Sequence, residues 1–257
     1  MGVLRSACAA FLTFSAIPMP KINYREKDMK YMFIFFPLIG AVIGGLCFLW
    51  IWLAGILKIP AAPMVLIFAA IPILVTGGIH VDGFMDTMDA VSSYKSREER
   101  IAIMKDPHIG GFAVIRLVVY LLLLLAALFC LDDGGLKSCC FIFVLSRAGS
   151  GLAVCFFPSA KSGGMLADEK RTGANPAVVV CLFAWIIGAV LLMLFYNAIY
   201  GAVTAALFFI SYGLYYFRSK KDYGGITGDL AGAYILMSQL LMTAGIAVTE
   251  ILLKMGV

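Results

Sequence analysis

Seven apolar stretches, at about 31–57, 61–79, 109–131, 138–157, 176–196, 198–217 and 230–253, leave this chain few folds to choose from. A bilayer core takes roughly 20 apolar residues per helix, and each stretch is long enough. The balance of the whole chain agrees: 62% of its 257 residues are apolar and 14% charged, against about 45–50% and about 25% in soluble domains. That excludes a disordered chain, a collagen-like chain and an ordinary soluble α/β enzyme. The sequence reads as an all-α polytopic membrane protein, a single integral-membrane domain over residues 1–257. The net charge of +5 is too diffuse to point to nucleic acid. Cys8, Cys47, Cys130, Cys139, Cys140, Cys155 and Cys181 lie in apolar runs without C-x-x-C spacing. They read as small hydrophobes, neither a disulfide framework nor a zinc site.

Two segments depart from a plain span. Residues 3–17 are too short to cross and are expected to form a re-entrant or interfacial helix. Residues 1–20 lack the small-residue cleavage pattern of a secretory peptide and are read as part of the mature protein. The stretch 31–57 is longer than a crossing needs and carries Pro37, Gly40, Gly44 and Gly45. It is expected to tilt, kink or pack closely on a neighbour.

The loops alternate in basic content. Residues 21–30, 80–108, 158–175 and 218–229 together hold fourteen Lys and Arg, among them Lys21, Arg25, Lys161, Lys170 and Arg171. The remaining connections and the C-terminus hold three, Lys58, Lys137 and Lys254. The positive-inside rule places the rich loops in the cytoplasm, and only a seven-span count makes the alternation come out. No internal repeat or low-complexity segment is present.

The chemistry gathers in the cytoplasmic segment 80–108. It opens Gly77-Gly78-Ile79-His80-Val81-Asp82-Gly83-Phe84-Met85-Asp86-Thr87-Met88-Asp89. On a helix, at ~100° per residue, Asp82, Asp86 and Asp89 fall within about 60° of one another and span about 10 Å. Three like charges on one face repel unless a cation sits among them, and Mg²⁺ prefers carboxylate oxygens shared with substrate phosphates. The bland alternative is a solvated acidic face. Abutting a membrane span argues for a half-buried pocket instead. The paired glycines and Gly83 permit close approach by a ligand or, equally, by another helix.

Further on, Arg97, Glu98, Glu99 and Arg100 read most simply as a solvated amphipathic face. Lys105 and Asp106, beside the membrane and before Pro107, are candidates for a phosphate and for a metal or hydroxyl. His80 is a candidate substrate or phosphate contact and His108 a candidate proton carrier, though a lone His is more often a hydrogen-bonded bystander. Arg147, within Ser146-Arg147-Ala148-Gly149-Ser150, suits a phosphate clamp because guanidinium is a bidentate fork. A structural ion pair with an Asp of the acidic motif is the alternative. Arg116, near the start of its span, can snorkel. In Gly224-Gly225-Ile226-Thr227-Gly228-Asp229, the glycines allow a tight turn with backbone N–H groups, including those around Gly225 and Thr227, free for an anion. Asp229 is a fourth candidate metal ligand, or a helix N-cap. There is no P-loop, Rossmann fingerprint, H-E-x-x-H or G-x-S-x-G. Carboxylates for a metal with Arg, Lys and exposed backbone suit transfer of a phosphate-linked group, and residue chemistry alone stops at that class.

The string 77–115, GGIHVDGFMDTMDAVSSYKSREERIAIMKDPHIGGFAVI, resembles the signature region of the cobalamin synthase family. The resemblance continues in FLTFSAIPMP (11–20), FPLIGAVIGG (36–45), LSRAG (145–149) and GGITGDLAGA (224–233), and so covers nearly the whole chain. Ala90, His108 and Ala16 depart from the residues common in the family, which have Gly, Arg and a basic residue there. The resemblance implies a Mg²⁺-requiring enzyme of a bacterial or archaeal cytoplasmic membrane, with its active site facing the cytoplasm. It would join adenosylcobinamide-GDP to α-ribazole, or its 5′-phosphate, with release of GMP. It implies Asp82, Asp86, Asp89 and Asp229 for metal and diphosphate, Arg147 and Lys105 for phosphate oxygens, and a carboxylate or Asp106 as proton acceptor for the ribose hydroxyl. Oligomeric state is left open, a homo-oligomer included.

A CDP-alcohol phosphotransferase also carries spaced aspartates on membrane helices, but its acidic motif holds an Arg that Asp82–Asp89 lacks. A transporter is the alternative of a different class. It is disfavoured by the missing repeat and by acids gathered at one face.

Overall fold

The computed structural model describes residues 2–20, 26–160 and 175–256; Lys21, Arg25, Lys161, Lys170 and Arg171 lie outside the described residues. The described chain is built of helices: α1 (Gly2–Phe14), α2 (Glu26–Lys30), a 3₁₀ turn (Met32–Phe35), α3 (Phe36–Ile56), α4 (Ala61–Thr76), α5 (Ile79–Ser92), α6 (Arg97–Ile103), α7 (Gly111–Phe129), α8 (Asp133–Phe156), α9 (Pro176–Tyr196), α10 (Ala198–Tyr223) and α11 (Gly228–Met255). Among the described residues the one piece of β structure is an isolated bridge, Ser159 with Ile226.

Local chemistry sets the boundaries. Asp132 caps α8 by accepting from the Gly135 N–H at 2.8 Å. Asn197 ends α9 and caps α10, accepting from the Tyr200 N–H at 3.0 Å. Ser96 and Glu99 form a reciprocal capping box on α6. Pro37 and Pro176 sit in first turns, where a missing N–H is no loss. Pro72 lies inside α4 and deprives the Phe68 carbonyl of its helical donor. The Cys47 thiol donates to that carbonyl instead, at 3.9 Å. The cysteines are all thiols, as the apolar settings predict.

Six helices, α3 and α7 to α11, are long and apolar enough to cross a membrane. α4 runs between the same two ends, but its sixteen residues rise only about 24 Å. It then breaks: Gly77 and Gly78 both take left-handed backbone, at φ of 63° and 81°, which residues with a Cβ rarely adopt. The chain turns by 93° there, so α5 lies across the end of the bundle and does not continue the crossing.

Contacts fix the directions. Gly40 and Gly44 of α3 press on the Phe143 and Cys140 carbonyls of α8, where a Cβ would collide. Of the outcomes open to the first stretch, close packing is the one found, and it makes α3 and α8 antiparallel. α8 is the central column, with its residues from Leu136 to Val154 almost all buried. At one end the Val75 carbonyl accepts from the Ala16 N–H at 2.8 Å, and the α10–α11 loop meets residues 158–160. At the other, Glu250 near the end of α11 accepts from the Asp132 N–H at 2.8 Å. The seven segments therefore alternate in direction, as the loop charges require. α1 is a thirteen-residue helix whose last turn reaches the α5 end.

Candidate functional site

α5 holds Asp82, Asp86 and Asp89 on one face, and two glycine contacts decide what that face meets. A Cβ on Gly83 would stand 2.9 Å from the Asp229 Cα, and one on Gly232 would stand 3.2 Å from the His80 carbonyl oxygen. The bare backbones therefore let α5 cross the first turn of α11, which carries Asp229 to the aspartate trio. Asp89 lies with its carboxylate against Gly110, just before α7, leaving no room for a side chain there.

The charges register this convergence. The Asp86 carboxyl is pushed up to about 6, first by partial burial and then by the negative charges of Asp82, Asp229 and Asp89. No Lys or Arg forms an ion pair with Asp82, Asp86 or Asp89 among the described residues. Asp82 and Asp229 also line a cavity of about 190 Å³, walled by Thr13 and Phe14 of α1 and Ser150 of α8. That is below the roughly 300–1,000 Å³ of pockets that enclose a whole small ligand, so the cavity takes only part of a larger molecule.

The donor set is one of hard oxygens. Among the described residues no three of His, Cys, Asp and Glu converge closely enough to hold a metal ion by themselves. Mg²⁺ is commonly held by one or two carboxylates and completed by water and substrate phosphate. The residues fit such an ion once a phosphate-bearing substrate brings further oxygens.

The glycine-rich loop differs from its sequence reading. The Gly224, Gly225 and Ile226 N–H groups donate to Lys220, Ser219 and Pro158 carbonyls at 3.0, 3.0 and 2.7 Å. They are thus not free for an anion. Gly225, at φ 157°, is pressed against Pro158, where a Cβ would collide. Its role is to seat the loop on residues 158–160. Thr227, not Asp229, caps α11: its Oγ1 accepts from the Leu230 N–H at 3.2 Å and donates to an Asp229 oxygen at 3.4 Å.

Lys105, Asp106 and His108 stand exposed on the turn between α6 and α7. The Asp106 carboxylate accepts from the His108 backbone at 3.0 Å and contacts its ring Nδ1 at 2.6 Å. Those hydrogen bonds hold it below the usual carboxylate range. Arg116 is exposed on α7. The Arg97 guanidinium is packed over Gly224 at the end of α10, a contact the alternating charges of α6 did not announce.

Arg147 has another setting. It is 1% exposed and donates to the Phe143 carbonyl at 3.1 Å and to Ser146 Oγ at 3.5 Å. Among the described residues it forms no ion pair, so the expected alternative of a salt bridge to the acidic motif is not what the structure holds. His80 is buried, its ring edge-on to Phe36 at 5.8 Å. Arg147 and His80 face a second, inner cavity.

Sequence reasoning missed the α5–α11 crossing, the Gly110 seat for Asp89, and the lining by α1 and Ser150. The first had a signal, small residues at Gly83, Gly228 and Gly232, but nothing to show that they face one another.

A membrane bundle that turns an acidic helix across one end and backs it with a further carboxylate is an integral-membrane protein with an oxygen-donor site at that end. The family model described as Cobalamin-5-phosphate synthase matches residues 6–247, and the chain belongs to that family. A relative from Lachnoclostridium phytofermentans, named adenosylcobinamide-GDP ribazoletransferase, is 41% identical, covering 97% of this chain and 96% of its own. Relatives of the same name from Desulfitobacterium hafniense and Clostridium perfringens strain 13 are 33% and 30% identical, covering 91% and 87% of this chain and 92% and 89% of their own. No solved structure matches the chain.

Proposed function

We propose that this chain joins adenosylcobinamide-GDP to α-ribazole or its 5′-phosphate and releases GMP. The observation that carries the reading is the convergence of Asp82, Asp86, Asp89 and Asp229 from two elements, felt by Asp86 as a raised carboxyl. The matching relatives carry that activity in their names.

In this reading Asp82 and Asp229, which share the cavity, would hold Mg²⁺ together with substrate phosphate oxygens, with Asp86 and Asp89 beside them. When bound, the ion would supply positive charge to the diphosphate, whose P–O–P bridge breaks as GMP leaves. The cavity beside Asp82 and Asp229 receives the diphosphate region; its volume of about 190 Å³ leaves the corrinoid and the guanosine outside the bundle. Lys105, exposed at the same end, neutralises outer phosphate oxygens. Asp106 is a poor proton acceptor, because hydrogen bonds from His108 already stabilise its anion. Asp86 is the better one, since burial, its largest perturbation, persists when a cation balances the surrounding charge. Lys95, Arg97, Arg100, Lys105, Arg218, Lys220 and Lys221 lie in the described segments at this end, and this basic excess supports a site that faces the cytoplasm.

The test is an assay of the purified chain in lipid nanodiscs with adenosylcobinamide-GDP and α-ribazole, with Mg²⁺ or with EDTA. Release of GMP that needs both substrates and the ion is the expected result. No GMP from a folded preparation would end the proposal.

A further inference from the structure

Arg147 presents a problem that the transfer reaction does not solve. Its guanidinium is 1% exposed in the middle of a membrane-spanning helix, and a charge so placed normally has a counter-ion. Its hydrogen bonds run to two neutral groups, the Phe143 carbonyl and Ser146 Oγ. Among the described residues the titratable side chains that interact with it are Cys47, His80 and Tyr120, none of them a carboxylate. Among the described residues its Nε has no partner, and neither has Nε2 of buried His80.

Both residues line the same cavity of about 50 Å³, with Thr76, Tyr120, Gln239 and Thr243. An arginine Nε–H can only donate, so the missing partner is an acceptor, and His80 can donate from Nε2 in one tautomer. Water would satisfy the hydrogen bonds and leave the charge unbalanced. An anion satisfies both. The size selects among anions: about 50 Å³ amounts to a few water-sized probes, room for a halide and a water but not for a phosphate that carries its ester. His80 also lines the outer cavity beside Asp82, so the residue stands between the two.

We propose that Arg147 and His80 form a buried site for a small monovalent anion of halide size, separate from the carboxylate site. The anion neutralises Arg147 and so stabilises the packing of α8 against α11.

The experiment uses the full chain in detergent at constant sodium concentration, with gluconate replaced stepwise by chloride or bromide, and follows thermal unfolding. The wild type is expected to gain several degrees in a saturable manner with either halide. Crystals grown in bromide should give an anomalous peak between Arg147 and His80. Arg147→Gln should lose the saturable gain. Should that variant not fold, His80→Ala, which removes one donor, should raise the half-saturating chloride about tenfold. Asp82→Asn should keep the full response even with activity lost, which separates this site from the transfer reaction. No halide-specific gain in the wild type, or a gain that both Arg147→Gln and His80→Ala retain undiminished, overturns the proposal.

Discussion

The two ends of the bundle treat acidic residues in opposite ways. At one end Glu250 is 2% exposed, yet each oxygen has a donor. Asp132 N–H reaches one oxygen at 2.8 Å and Lys254 the same one at 2.6 Å, while the Tyr200 hydroxyl reaches the other at 3.5 Å. At the other end Asp86 is surrounded by Asp82, Asp89 and Asp229 and pays for their proximity in a raised carboxyl. A carboxylate placed for stability is surrounded by donors. One placed for binding is left among its like, and its stabilising partner arrives with the ligand.

That contrast can be broken by exchange of function for stability. The largest effect is expected from Asp82→Asn, which should lower GMP release by about 10²–10³-fold, the scale of removing one preorganised charge interaction. Its melting temperature should hold. A variant that turns over normally with Mg²⁺ would remove Asp82 from the site. Next comes Gly83→Ala, whose Cβ would stand 2.9 Å from the Asp229 Cα. Prying α5 off α11 should cut turnover at least tenfold and destabilise by about 1–3 kcal/mol, as overpacking does. Normal turnover would show that the crossing is not needed.

Glu250→Ala should do the reverse. It strips acceptors from Asp132 N–H and Lys254, and should cost about 2 kcal/mol, or about 4–8 °C in melting temperature. Turnover per folded molecule should be unchanged, and a fall in it would link the two ends. The smallest effect is predicted for Asp86→Asn without divalent ions, a rise of about 2–4 °C at pH 7.5. The sign follows from linkage. A carboxyl raised from 3.8 to about 6 by folding destabilises the fold progressively as pH rises through that window. The variant should therefore match the wild type near pH 4 and exceed it above pH 6. A variant less stable at pH 7.5 would contradict the repulsion.

Much of this was legible in the sequence, because lipid makes strong demands on composition. The span at 176–196 coincides with α9, and the D-x-x-x-D-x-x-D spacing does lie on a helix. What the spacing could not give was position. α5 read as a helix of a cytoplasmic loop; it is packed against α7 and α11, with Gly83, Phe84, Thr87 and Ala90 buried. The 93° corner rests on two consecutive left-handed residues, and a Gly-Gly pair is equally compatible with a close helix crossing. Asp229 reaches the trio through a contact almost 150 residues away in sequence, which no local pattern encodes. Gly225 misled for a related reason: its N–H looked free, and the acceptor that takes it, the Ser219 carbonyl, depends on how α10 ends.

The corner at Gly77–Gly78 has a consequence for how a substrate arrives. Had α4 run straight on, Asp86 would ride on a stalk about 15 Å beyond Thr76. Folded over, the acids stay beside the first turn of the spanning helix α11. A molecule that keeps its greasy part in the bilayer can then bring its charged part to them by moving within the plane of the membrane, a search in two dimensions instead of three.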